Sequence, residues 1–114
     1  MFRIYKKGLT KDELADTPPV MLQHGLLGCS EVYVNKGKMS LGYLLAMDGF
    51  DVWMGNSRGN IYSRGHLTKQ VEGDYFDFSF FEMGKYDVPA NVDKIRAVTG
   101  RDKITYIGHS QGTS

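Results

Sequence analysis

Ser110 stands at the centre of Gly108-His109-Ser110-Gln111-Gly112, directly after the apolar run Ile104-Thr105-Tyr106-Ile107. A serine with a glycine two positions away on each side suits a sharp strand-to-helix turn, whose tip is strained and whose flanks have no room for a Cβ. Such a turn lifts the Ser110 hydroxyl above the sheet edge. It also aims the backbone N–H of Gln111 at the oxyanion of an acyl-transfer intermediate. The predicted chemistry is therefore attack on a carbonyl by Ser110, with Gln111 as one oxyanion donor. G-x-S-x-G fixes only three positions and also occurs in ordinary glycine-rich turns. Here Gly100-Arg101-Asp102 stops a helix and a β-branched, aromatic strand follows, which is the context the motif needs.

An oxyanion hole needs a second donor, and an earlier strand offers one. Pro18-Pro19 leads into Val20-Met21-Leu22-Gln23, a continuous apolar run of the kind buried on both faces of a parallel sheet. His24-Gly25-Leu26-Leu27-Gly28 follows at its carboxyl end, where parallel sheets collect their ligand sites. The Leu26 N–H sits where the second donor is expected; the competing reading is a tight turn made by the two glycines.

Neutral-pH attack by a serine also needs a histidine base held by a carboxylate. Of the three histidines, His24 opens the candidate oxyanion loop, His66 lies in Arg64-Gly65-His66, and His109 adjoins Ser110 but should point the other way. None is well placed. In hydrolases with this turn the acid and the histidine both follow the serine in the chain. The sequence therefore reads as the N-terminal part of an enzyme, residues 1–114 being a partial domain, expected to be inactive by itself. Cys29 is the only cysteine, which excludes an internal disulfide; as a nucleophile it has no adjacent histidine.

The elements that must position these groups follow in order. Phe2 to Lys6 alternates as a short edge strand, and the polar stretch from Lys7 to Pro19 reads as turns. Ser40 to Met47 carries apolar residues at 41, 44, 45 and 47, a helix face stopped by Gly49. Phe50-Asp51-Val52-Trp53-Met54 is the next strand, ending in Gly55-Asn56-Ser57-Arg58-Gly59-Asn60, where Arg58 is expected to tie loop backbone together. Phe76, Phe80 and Met83 recur at helical spacing and are read as core in preference to an acyl pocket. Asp87 can cap a helix carrying Pro89 in its first turn and a Val88, Val92, Ile95 stripe, ended by Gly100. The result is an α/β chain, a mostly parallel sheet with helices on both faces.

Composition excludes other classes. Fourteen Lys and Arg balance thirteen Asp and Glu without runs, so no nucleic-acid partner is implied. No stretch approaches the ~18 apolar residues of a membrane span, and the N-terminal residues lack the apolar core of a signal peptide. Nothing indicates a metal, a cofactor or an obligate protein partner.

Four ordered blocks resemble the acid lipases of the lysosomal and gastric type, within the α/β-hydrolase superfamily. They are Leu22-Gln23-His24-Gly25-Leu26-Leu27; Gly49 to Asn60; Phe78 to Ala90; and Tyr106 to Thr113. The resemblance implies hydrolysis of triacylglycerols or cholesteryl esters at a lipid–water interface, with Ser110 as nucleophile and Leu26 and Gln111 as oxyanion donors. It also implies a secreted or lysosomal setting. Other readings are a carboxylesterase or thioesterase sharing the same turn, or a non-catalytic truncated product.

Overall fold

The structure is a computed structural model and describes residues 1–69 and 71–114. Four strands form one sheet in the order β1 (Phe2–Ile4), β3 (Asp51–Met54), β2 (Pro19–Gln23), β4 (Thr105–Gly108). β2 runs parallel to both β3 and β4, and only β1 is antiparallel. The register pairs Leu22 with Met54 and Gln23 with Gly108, so the carboxyl ends of all three parallel strands meet at one edge. The chain leaves β2 for β3 on one side and then crosses back to β4 on the other. That reversal is the switch point at which open α/β sheets hold ligands.

Period-2 alternation sorts the sheet's side chains between two cores. Val20, Leu22, Val52 and Met54 face one side with Tyr33 and Ala46 of the first crossover. Met21 and Trp53 face the other, under Ile95 of α4 (Val88–Thr99). Helices thus cover both faces, α2 (Leu41–Met47) on one and α4 on the other. α4 ends as its glycine requires, with Gly100 at φ 70°.

Three expectations need correction. The polar stretch after β1 contains a helix, α1 (Lys11–Asp16), started by a capping box in which Thr10 and Glu13 satisfy each other's backbone N–H. α2 spans the expected residues, and Leu45 packs against the core as expected, but the rest of that face does not: Gly42 and Ala46 are buried, whereas Leu41, Leu44 and Met47 are exposed. The reason is close approach, since a Cβ on Gly42 would lie 2.8 Å from the Tyr33 carbonyl oxygen. Two small residues, with Leu45 beside them, let this helix reach the sheet. Asp87 precedes α4 but caps nothing; its backbone is already helical and its carboxylate serves Arg58.

β1 is secured by charge. Arg3 Nε and Nη2 donate to the two carboxylate oxygens of Asp51, each at 2.8 Å, and the guanidinium lies 4.4 Å from the Trp53 ring centroid. The hydrogen bonds to Asp51 hold the Arg3 guanidinium above its ordinary pKa, against the opposing pull of burial. Asp51 is fully buried, so removing its partner strands a carboxylate. Arg3→Met is expected to cost about 3 kcal/mol, the lower end for breaking a buried pair because part of Arg3 is solvated. Arg3→Lys should fall between, since it keeps the charge but loses the planar fork. Urea midpoints for the two variants, in a protein of the relatives' length carrying this chain, check the order.

Candidate active site

Ser110 follows β4 in a tight turn, residues Ser110–Thr113, and its φ of 55° is left-handed. Only Leu27 shares that feature among non-glycine residues described. A Cβ on Gly108 would run into the carbonyl of Gly112, and one on Gly112 would lie 2.5 Å from the Gln23 carbonyl oxygen. Both glycines of the motif are therefore required by space rather than by φ. The turn is tied down by His109 N–H donating to Gln23 O at 3.1 Å and Gly112 N–H donating to His109 O at 2.9 Å. Tyr106 Oη also donates to Gly112 O at 2.7 Å, and burial pushes this phenol's pKa up.

Strain at Ser110 has a measurable consequence. Left-handed backbone costs a non-glycine residue ~1–3 kcal/mol, more than the ~0.5–1 kcal/mol of extra entropy that glycine loses on folding. In a protein of the relatives' length carrying this chain, Ser110→Gly is accordingly expected to raise the thermal midpoint while Ser110→Ala leaves it unchanged. An equal shift for both would remove the strain argument.

The loop after β2 lies against this turn. A Cβ on Gly25 would sit 3.0 Å from Ser110 Cβ and 3.1 Å from His109 O, so glycine is what admits the contact. The peptide carrying the Leu26 N–H begins at Gly25. Gly28 N–H donates to Gly25 O at 3.1 Å, so the segment is also a tight turn, and the two readings of its glycines coexist. Leu26 and Gln111 both line one cavity of about 490 Å³ beside Ser110's turn. The Gln111 side chain turns toward Met83, its Nε2 3.7 Å from the sulfur, leaving the backbone as the part relevant to an oxyanion.

The three histidines are accounted for without Ser110. His24 is buried; its Nδ1 faces Gly25 O at 2.8 Å and its Nε2 accepts from Ser57 N–H at 3.0 Å. A neutral ring protonated on Nδ1 satisfies both contacts. His66 Nδ1 accepts from the N–H groups of Thr68 and Lys69. His109 is exposed. Among the described residues no histidine is hydrogen-bonded to Ser110 Oγ. Cys29 lies on the cavity wall, half-buried.

A polar network behind the Leu26 loop escaped sequence reasoning. Gln23 Nε2 donates to Ser57 Oγ, Ser30 N–H to Asn56 Oδ1, and Asn60 Nδ2 to Asn56 Oδ1, at 2.9–3.0 Å. With His24 these groups lock the loops after β2 and β3 together. The only signal was the pair of asparagines four apart in Gly55-Asn56-Ser57-Arg58-Gly59-Asn60.

The aromatic segment is the largest departure from expectation. Phe76 and Phe80 are more than half exposed, and with Phe78 and Met83 they line the cavity instead of filling a core. The helical period assumed for them does not hold, because Phe76 lies in a 3₁₀ turn and residues Met83–Asp87 form a π turn between α3 (Phe80–Glu82) and α4. Tyr75 alone packs inside. Arg58 reaches across to this segment, bonding Asp87 through Nε, Nη2 and its backbone N–H at 2.6–3.1 Å. It ties the loop to the start of α4 rather than to its own backbone. That contact holds the Arg58 guanidinium above its ordinary pKa, burial opposing.

A mostly parallel sheet covered on both faces, with a glycine-flanked serine turn at its carboxyl edge, defines a hydrolase architecture. The family profile described as "alpha/beta hydrolase fold" matches residues 18–114, and the chain belongs to that family. It is 54% identical to the human lysosomal acid lipase/cholesteryl ester hydrolase over 99 residues, covering 85% of this chain and 25% of that protein. Lipase 1 of Drosophila melanogaster is 48% identical over 114 residues, 98% of this chain and 24% of the relative. Bovine gastric triacylglycerol lipase is 45% identical over 116 residues, all of this chain and 29% of the relative. The chain thus spans about a quarter of the length of the curated relatives it matches. Among the described residues no helix is long and apolar enough to cross a membrane.

Proposed function

We propose that this chain supplies the nucleophile and oxyanion hole of a serine ester hydrolase acting on neutral lipids, triacylglycerols or cholesteryl esters. Ser110 Oγ attacks the ester carbonyl, and the N–H groups of Leu26 and Gln111 hold the resulting oxyanion. The observation that carries this reading is the left-handed backbone of Ser110, held between two glycines that admit no Cβ, against the Gly25-Leu26 loop. An apolar cavity within the usual ~300–1,000 Å³ range for small-molecule sites opens against the next residues of the turn, Gln111 and Gly112, and against Leu26. The general base and its carboxylate are assigned to residues outside 1–114, in keeping with the Ser, acid, His order of such enzymes. The relatives' names support the lipid ester, and that of the human relative a lysosomal setting.

A serine-directed alkyl phosphonate tests the reading in a protein of the relatives' length that carries this chain. Peptide mapping is expected to place a single adduct on the Ser110 peptide. An adduct on Cys29, or on any other serine, would overturn the assignment.

A further inference from the structure

We infer that the Phe78 ring, fixed between Gly59 and Arg58, sets which acyl chains the site accepts. This rests on the ester-hydrolase reading of Ser110 and adds a specificity-determining residue to it.

Phe78 and Phe76 share the cavity wall with the Leu26 loop and with Gln111 and Gly112 of the serine turn, though Ser110 itself does not line it. On the ester-hydrolase reading this wall is the apolar surface offered to the alkyl group of a carbonyl attacked by Ser110. The question is whether the wall can yield. Gly59 has φ 83°, and a Cβ there would lie 2.8 Å from Phe78 Cζ and 3.3 Å from Phe76 Cε1. The rings thus occupy the space where a side chain would otherwise stand, with backbone directly behind them. On another side the Arg58 guanidinium lies 5.7 Å from the Phe78 centroid and 5.8 Å from that of Tyr86, within cation–π range. Arg58 is itself held by Asp87. Phe76 stands 6.1 Å away, tilted 43°, and packs edge-on against buried Tyr75. Backbone, guanidinium and neighbouring ring therefore oppose retreat of the Phe78 ring. A wall that cannot retreat converts added methylenes into a clash or a good fit, which is how a pocket discriminates chain lengths.

Ser110 labelling rates with a short-chain and a long-chain alkyl phosphonate, in a protein of the relatives' length carrying this chain, give the selectivity as a ratio. Phe78→Ala is expected to shift that ratio toward the long chain by about tenfold or more, the usual size of a methylene-scale change in such a pocket. Phe78→Leu keeps an apolar side chain and should shift it in the same direction by less, so the proposal stays testable if the alanine variant folds poorly. Asp87→Asn, which leaves Arg58 without its carboxylate, should move the ratio the same way, and Asp87→Glu should restore it; a merely structural role for the pair would change both rates together. Ratios within twofold of the unsubstituted protein for both Phe78 variants would overturn the selector while leaving the Ser110 reading intact. Failure of the unsubstituted protein to label at Ser110 with either reagent would overturn both.

Discussion

Ser110→Ala is expected to lower ester turnover by the order of 10⁶-fold in a protein of the relatives' length carrying this chain, because the attacking atom is gone. The residual rate should be that of an intact binding site without a nucleophile, ~10³–10⁴-fold above water. The neighbouring residue separates backbone from side chain. Gln111→Ala retains the N–H and loses only a contact with Met83, so it should cost little. Gln111→Pro deletes the N–H and should cost about 2.7–4 kcal/mol, or 10²–10³ in kcat. Steady-state kinetics on a soluble ester measure all three. An alanine variant at 111 as impaired as the proline variant would move the oxyanion role from the backbone to the side chain.

The 114-residue chain by itself is expected to show no ester hydrolysis above its own Ser110→Ala control. His24 is saturated by Gly25 and Ser57, His66 is occupied within its own loop, and no histidine is bonded to Ser110 Oγ among the described residues. A serine hydroxyl without a base is a poor nucleophile at neutral pH. Solution behaviour should point the same way. β4 pairs only with β2 among the described strands, and Leu41, Leu44 and Met47 leave an apolar face on α2 open to water. Unpaired edges and open apolar faces favour association. Light scattering and thermal melts should accordingly report aggregation or partial unfolding. A soluble, cooperatively melting chain that releases fatty acid in a Ser110-dependent manner would sink both expectations.

Local chemistry made much of this architecture legible. α4 was marked at both ends, by Pro89 near its start and Gly100 at its stop, and β2 by an unbroken apolar run. The capping box that starts α1 was present as Thr10 and Glu13, but a run of charged residues hid it. What could not be read locally depends on partners distant in sequence. The buried face of α2 follows from Gly42 meeting Tyr33, and the fate of Asp87 from Arg58. The aromatic segment deceived because a π turn breaks the 3.6-residue period on which its assignment rested. In the site, Ser110, Leu26 and Gln111 were legible as candidates through spacing and strand context. The His24, Asn56 and Asn60 network was not, since each bond joins two loops that only the folded sheet brings together.

The pairing of β2 with β4 also bears on the order in which the molecule can assemble. Val20 is matched to Thr105, so most of the chain must be closed into a loop before β4 can dock, whereas β2 and β3 are joined by a much shorter crossover. Loop closure is paid before the contacts that reward it, which makes distant parallel pairings late and slow. On a ribosome the β2–β3 unit can form while β4 is still unsynthesised, with the other edge of β2 uncovered. Among the four described strands, the one that brings Ser110 into place is thus made after the others, and during that interval a holding chaperone has a defined edge to shield.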